Sequence, residues 1–210
     1  MFVSESNKVK SSTVIKNLQK RNMEGYYCET VEEAVEKAMS MIKQDDVVAW
    51  GGSTTIDQIG IKKLLEEKSI EVIDRDKVSD PKEKAKLMKK ALTSDVFLTS
   101  ANAITMDGEL LNIDGNGNRL AAYCYGPDSV IVVAGINKIV TDLDVALKKA
   151  RLDATVPNAV RTNSKTPCYY TGKCTECTMS DTLCGQILVT RFCKPQNKIK
   201  VILVGENLGF

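Results

Sequence analysis

The chain has 210 residues, 43% of them hydrophobic and 27% charged, a composition typical of one globular domain with a sizeable core. Its 29 basic and 27 acidic residues are interspersed, so the net charge is +2 and no nucleic-acid partner is expected. It contains no histidine, which excludes Ser-His-Asp catalysis, Cys-His catalysis and HExxH zinc sites. There is no apolar signal segment and no apolar run that could span a bilayer, so we expect a cytoplasmic protein without membrane contact.

The first half of the sequence predicts helices that alternate with short buried strands. A helical pattern runs from about residue 6 to 22, and Thr30-Val-Glu-Glu33 is a capping box that begins a second helix. Apolar runs at 45–50 and 69–74 predict strands. The sequence GGSTT at 51–55 follows the first of these strands and leads into another helix.

The same alternation continues in the second half. Asp80 and Pro81 supply an N-cap and a first helical residue. Strands are predicted at 95–100 and 129–136, and residues 141–144 begin a further amphipathic helix. This order of elements indicates an α/β fold with a mostly parallel sheet that is covered by helices on both faces.

The C-terminal part differs from this pattern. The apolar runs at 185–192 and 198–205 are separated by about one loop, so we expect an antiparallel pair at an edge of the sheet. No internal repeat and no low-complexity linker is evident. We therefore expect a single domain over 1–210, with a cysteine-rich insertion at about 165–184.

Polar residues follow several of the predicted strands, at the sheet edge where open parallel sheets bind ligands. Glycines in GGSTT let the backbone approach an anion, while hydroxyl groups and a helix N-terminus supply donors. A simple N-cap with glycines for the turn explains GGSTT equally well. The candidate ligand-binding residues at these strand ends are Gly51, Gly52, Ser53, Thr54, Thr55, Asn102, Asn137 and Lys138.

The stretch MDGELLNIDGNGNRLAAYC at 106–124 combines core-forming and turn-forming residues. It predicts a hairpin that turns at residues 106–108, then a sharp turn into a helix near Asn118. Asn and Asp side chains that hydrogen-bond to their own backbone explain most of the turn-forming residues in this stretch. No turn requires Arg119, however, and burial of its charge needs an anionic partner. Further candidate ligand-binding residues are Asn112, Asn116, Gly117, Asn118 and Arg119. Because histidine is absent, the candidate general bases are Asp107, Glu109 and Asp114.

Four of the seven cysteines form a C-x5-C-x2-C-x6-C segment. With no export signal, clustered cysteines indicate metal or redox chemistry more often than disulfides. Structural zinc and a four-cysteine iron–sulfur cluster both accept such ligands. The alternatives are no metal, with four reduced cysteines in an ordered loop, or a dithiol switch at the C-x2-C pair. The candidate metal ligands are Cys168, Cys174, Cys177 and Cys184.

The sequence also resembles a known family. The run TSANAITMDGELLNIDGNGNRLAAYCYGPDSVIVVAGINKIV at 99–140, with GGSTT upstream and NAVRTNSKTPC and VILVGENLGF downstream, strongly resembles the LUD domain family of lactate-utilisation protein C and its YkgG-like relatives. More narrowly, it resembles the stand-alone bacterial branch that carries PC-x5-C-x2-C. The resemblance implies a NagB/RpiA/CoA transferase-like fold, which ribose-5-phosphate isomerase and the CoA transferases share.

The resemblance further implies a role in the utilisation of lactate or a related small organic acid. It implies an anionic ligand (a carboxylate, a phosphate or a CoA-type cofactor), iron–sulfur oxidoreductase partners and a homodimer. The alternatives are a non-enzymatic regulatory or assembly subunit and a sugar-phosphate isomerase-like enzyme. A distant likeness to methylthioribose-1-phosphate isomerase places Asn102 at the catalytic aspartate of that enzyme, and an amide cannot exchange a proton in its place.

Overall fold

A parallel sheet of six strands forms the centre of the computed structural model, which describes residues 2–210. Its strand order is β1-β10-β7-β4-β2-β3, and a second sheet has the order β8-β5-β6-β9. In chain order the strands are β1 (Glu24–Cys28), β2 (Val48–Trp50), β3 (Val72–Ile73), β4 (Val96–Thr99), β5 (Ala103–Thr105), β6 (Leu110–Asp114), β7 (Ser129–Gly135), β8 (Ile139–Val140), β9 (Gln186–Thr190) and β10 (Ile199–Val204).

Helices cover the six-stranded sheet on both faces, which confirms the predicted α/β class. Thr30 and Asp80 cap two of these helices through their side chains, as the sequence predicted, and Asp142, within the predicted range 141–144, caps a third. The helices are α1 (Phe2–Lys20), α2 (Val31–Met39), α3 (Thr54–Gln58), α4 (Ile61–Glu67), α5 (Pro81–Lys90), α6 (Asn118–Cys124), α7 (Leu143–Lys149), α8 (Thr155–Arg161) and α9 (Pro167–Thr171).

Two apolar cores lie on the two faces of the parallel sheet because alternate strand residues point in opposite directions. On one face Phe97 and Val132 pack with Leu18 from α1. On the other face Trp50 and Ile131 pack with residues of α2, α3 and α4. A third, smaller core lies between the second sheet and α7. No helix of residues 2–210 has the length and apolar character that a bilayer crossing requires.

The prediction of an antiparallel pair at 185–192 and 198–205 is wrong. β10 lies inside the main sheet, parallel to both β1 and β7, whereas β9 pairs antiparallel with β6 in the second sheet. The connection between β9 and β10 therefore crosses from one sheet to the other. β10 is apolar almost throughout because both of its faces are buried, the pattern of a central parallel strand.

The predicted hairpin at 103–113 is confirmed: β5 and β6 pair antiparallel, with Ala103 opposite Leu111. The helix that follows starts at Asn118, as predicted. The hairpin belongs to the second sheet, whose edge strand β8 runs parallel to β5. Both ends of the hairpin thereby lie beside the carboxyl edge of the main sheet, and its turn points away from that edge.

A π-helical turn, Ala150–Ala154, joins α7 to α8. Pro157 in α8 has no N–H to donate to the carbonyl of Asp153, and its ring would crowd that carbonyl in a regular α-helix. In the wider turn the N–H and the hydroxyl of Thr155 both donate to the carbonyl of Ala150, the hydroxyl at 2.9 Å. The turn directs the first residues of α8 toward the carboxyl edge of the sheet.

Candidate functional site

A cleft of about 220 Å³ opens at the carboxyl ends of the parallel strands, the edge where the sequence placed a ligand. Segments that follow β2, β3, β4, β7 and β10 form it together with the end of β6, the start of α6 and one side of α8. Its polar and charged lining residues are Ser53, Thr54, Thr55, Arg75, Ser100, Asn102, Asp114, Asn116, Asn118, Arg119, Lys138, Thr155, Asn158 and Arg161.

The cleft is strongly cationic. Three arginines and one lysine line it, against one acidic side chain, that of Asp114. Among residues 2–210, the charged nitrogens of Arg119, Arg161 and Lys138 have no carboxylate oxygen within 4.0 Å, whereas Arg75 Nε lies 3.7 Å from Asp76 Oδ1. Converging positive charge that acidic side chains compensate only in part favours a negatively charged ligand.

Arg119 is held in a fixed orientation at the start of α6. Its Nη2 donates to Asn102 Oδ1 at 3.0 Å and to the carbonyl of Ile113 at 2.6 Å, and its backbone N–H donates to Asp114 Oδ2 at 2.9 Å. Asn102 Oδ1 also accepts from the N–H of Ile113, so one amide joins both hairpin strands to the guanidinium. The aliphatic part of Arg119 lies against Gly51, where an added Cβ would be 3.3 Å from its Cγ and Cδ.

Two further guanidinium groups meet at Gly52. A Cβ on this glycine would lie 2.7 Å from Arg75 Nη2 and 3.9 Å from Arg161 Nη2. Arg161 is oriented by Asn158, whose Oδ1 accepts from Nε at 3.1 Å and from Nη2 at 2.7 Å. Because Gly52 has no side chain, there is room beside it for the guanidinium groups of Arg75, which follows β3, and of Arg161 in α8.

Gly52→Ala is expected to lower the affinity for anions about tenfold, equivalent to about 1.4 kcal/mol, because its methyl group displaces the Arg75 guanidinium. Gly115→Ala is the matched control, since Gly115 also lines the cleft but an added Cβ there meets its nearest neighbour at an ordinary 3.5 Å. Titration calorimetry with pyruvate or inorganic phosphate measures both affinities. An equal loss in the two variants would contradict a specific role for the Gly52 site.

Ser53, in the GGSTT sequence, is the N-cap of α3, and its Oγ accepts from the N–H of Ile56 at 3.4 Å. α3 has five residues, so its macrodipole is small and the positive charge of the cleft comes from side chains. Thr54 and Thr55 also line the cleft, and Gly209 passes so close to Thr55 that a Cβ there would be 2.4 Å from its Oγ1.

Lys138 reaches the cleft from the short 3-10 turn that follows β7. It is 3% exposed, and no hydrogen-bond acceptor for its ammonium group is found within residues 2–210. Burial, together with the positive charges of Lys149 and Arg119 and against the opposing effect of Asp153, lowers the pKa of Lys138 to about 8. The pKa of this lining amine is thus shifted toward the neutral range.

Comparisons with known proteins identify the family. The family model of the LUD domain matches residues 12–204. The chain belongs to the LUD domain family.

A solved structure supports the same fold for this LUD domain. The crystal structure of a DUF162 family protein from Deinococcus radiodurans at 1.70 Å resolution superimposes with a TM-score of 0.52 and 13% sequence identity, and the alignment covers 95% of this chain and 98% of that chain. A comparison with curated proteins found no match. The LUD domain family is associated with lactate utilisation.

The three candidate bases of the LUD domain do not lie together. Asp114 lines the cleft. Asp107 and Glu109 lie at the turn of the hairpin, where Arg21 donates to the carbonyl of Asp107 at 2.7 Å and pairs with Glu109 at 3.5 Å. The hairpin turn packs against α1, away from the cleft, because the two strands between turn and cleft are extended. The geometry therefore leaves Asp114 as the candidate base that can contact a ligand in this cleft.

Four other candidate ligand-binding residues have supporting positions. Gly51 packs on Arg119, and Gly117 begins α6 with φ +79°. Asn137 exchanges two hydrogen bonds with the backbone of Leu208. The amide of Asn112 is fully buried, with no hydrogen-bond partner found among the described residues. These residues border the cleft lining rather than form it.

Sequence reasoning missed the contributions of β3 and α8. Arg75 directly follows the strand predicted at 69–74, so the strand-end argument could have included it. Arg161 and Asn158 belong to the NAVR sequence, which served only to identify the family. Their approach to the cleft depends on the π-helical turn, which no periodic pattern in the sequence predicts.

The cysteine segment follows α8. Burial raises the pKa of the Cys184 thiol against the effect of its hydrogen bond to Thr155, and the nearby Cys174, Cys168 and Cys177 thiols raise it further. The four thiols thus share one neighbourhood, yet no group of three or more potential ligands among residues 2–210 is arranged to hold a metal ion. Binding of zinc or an iron–sulfur cluster by this segment stays a prediction. Elemental analysis and an absorption spectrum of protein purified without oxygen test it.

Proposed function

We propose that this LUD-domain protein binds a small organic acid in the cationic cleft, as part of lactate or related organic-acid utilisation. The observation that carries the proposal is the convergence of Arg75, Arg119, Arg161 and Lys138 around one cleft with a single acidic side chain. Such charges repel one another, and placing them together costs stability unless a ligand compensates them.

The donor geometry supports a carboxylate or phosphate group. Guanidinium groups bind such planar or tetrahedral anions through paired, charge-assisted hydrogen bonds. Arg119 has one amino group fixed by Asn102 and Ile113, which orients its other N–H groups without consuming them. A volume of about 220 Å³ suits a small acid rather than a complete CoA molecule. Asp114 is the residue in place to transfer a proton if the protein is catalytic.

The proposal includes the partners that the family resemblance implies. An iron–sulfur oxidoreductase would supply the redox chemistry that the cleft residues themselves do not provide, and the protein would pair with a second copy of itself. Light scattering measures the oligomeric state. In the alternative of a regulatory or assembly subunit, the same cleft senses the acid without converting it. In the alternative of an isomerase-like enzyme, the anion is a sugar phosphate.

Thermal unfolding with added ligands tests the proposal. A ligand at about 100 times its Kd stabilises the native state by about 2.7 kcal/mol, which raises the Tm of a chain of this size by roughly 5–10 °C. We expect such a shift with L-lactate or pyruvate, while pentose phosphates, acetyl-CoA and inorganic phosphate distinguish the alternatives. Lactamide is the matched neutral control. Equal shifts with lactate and lactamide, or no shift with any anion, would contradict the proposal.

A further inference from the structure

Lys138 is set apart from the other cations of the cleft by its surroundings. It follows β7, a central strand that is buried along almost its whole length. The residue is 3% exposed, and its side chain lines the cleft without an ion-pair partner within 4.0 Å among residues 2–210. Keeping a largely desolvated lysine charged without an acidic partner is costly, and simple anion binding does not require that cost, because an exposed arginine binds the same anion.

The charged groups that face Lys138 come from three elements. Arg119 of α6 and Lys149 of α7 oppose its positive charge, and Asp153 of the π-helical turn supports it. The Asp153 carboxylate is shared, since Lys149 Nζ lies 2.9 Å from its Oδ2. Because its pKa is lowered to about 8, the fraction of Lys138 that is free amine near pH 8 is larger than that of an ordinary lysine, which has a pKa of about 10.4 and is less than about 1% amine there.

Arginine and lysine therefore have different capacities in this cleft. The guanidinium groups of Arg75, Arg119 and Arg161 can hold a carboxylate through paired hydrogen bonds. Lys138 can present a nitrogen lone pair, and a lysine that is desolvated next to another cation is a known form of activated nucleophile. A ligand with a carboxylate next to a carbonyl group matches both capacities at once.

We propose that Lys138 is a nucleophile that forms an imine with a 2-oxo acid bound in the cleft. The nitrogen lone pair adds to the carbonyl carbon, and one of the two amine protons passes to the carbonyl oxygen, which becomes a hydroxyl group. That hydroxyl takes the second amine proton and leaves as water while the carbon–nitrogen double bond forms, so one amine and one carbonyl give one imine and one water. No oxidant or reductant is consumed. This inference rests on the proposed function, because the same cleft must hold the carboxylate.

Reductive trapping tests the inference on the complete chain. The protein is incubated with pyruvate and sodium cyanoborohydride, which adds hydride to an imine and leaves a stable secondary amine. Intact mass and peptide mapping then locate the product. We expect one pyruvate-derived adduct per chain, on Lys138, with a yield that rises through pH 8. The adduct is expected to be lost in Lys138→Arg, which keeps the charge.

Lys198 provides an internal control in the same sample. It is 8% exposed and burial lowers its pKa as well, but it does not line the cleft. Equal modification of Lys198 and Lys138 would overturn the inference. Pyruvate that raises Tm without modifying Lys138 would overturn the imine and leave anion binding intact. Pyruvate that neither raises Tm nor modifies the protein would overturn both. Peptide mapping of the wild-type protein decides these outcomes even if Lys138→Arg fails to fold.

Discussion

Arg119→Gln is expected to weaken binding of the preferred carboxylate by about 10- to 100-fold, equivalent to roughly 1.5–3 kcal/mol, the value of a hydrogen bond to a charged group. The aliphatic part of the side chain lies against Gly51 and Asn102 fixes the orientation of the guanidinium, so its loss removes both a charge and a positioned donor. We expect the free energy of unfolding to fall by roughly 1–3 kcal/mol, because the variant also loses the guanidinium hydrogen bonds to Asn102 and Ile113.

Arg151→Gln is the matched control for this prediction. Arg151 forms an ion pair with Glu176 outside the cleft, so its removal changes the net charge by the same amount without removing a cleft donor. Calorimetric titration gives the affinities, and urea unfolding gives the stabilities. If Arg119→Gln unfolds readily but its folded fraction binds with unchanged affinity, Arg119 has a structural role only. Equal affinity losses in both variants would indicate a general charge effect.

Local sequence patterns were sufficient for the class of fold but not for the position of every strand. Short apolar runs between capped helices predicted a parallel sheet, and the main sheet is entirely parallel. The position of β10 depends on a contact with β1, about 175 residues earlier in the sequence, which no local pattern contains. The apolar character of β10 on both faces indicated a central strand. The short connection after β9 favoured an antiparallel pair instead, and the prediction followed the connection.

The rule that ligands bind at the carboxyl ends of parallel strands correctly indicated those cleft residues that directly follow a strand. Ser53, Asn102 and Lys138 follow β2, β4 and β7, and all three line the cleft with Arg119. The same reasoning fails within a hairpin, because residues five or more positions apart in sequence can lie at opposite ends of the extended strands. Asp107 and Asp114 are separated in this way.

Lys138→Met is expected to stabilise the protein at pH 7 by up to about 3 kcal/mol, since each unit of pKa shift corresponds to about 1.4 kcal/mol. In the unfolded chain Lys138 titrates near its ordinary value of about 10.4, and in the native state at about 8. Between these values the unfolded chain holds a proton that the native chain lacks, so the lysine lowers native stability progressively as pH falls through this window. The full cost applies below about pH 8.

The gain from Lys138→Met should therefore shrink as pH rises and disappear above about pH 10, which urea unfolding at several pH values measures. Lys86→Met is the control: Lys86 is exposed and pairs with Glu83 on α5, so a change below about 0.5 kcal/mol without this pH dependence is expected. A gain in Lys138→Met together with loss of the trapped adduct would show that the cleft retains a destabilising amine for its chemistry. Destabilisation at every pH would instead mean that Lys138 contributes to the fold.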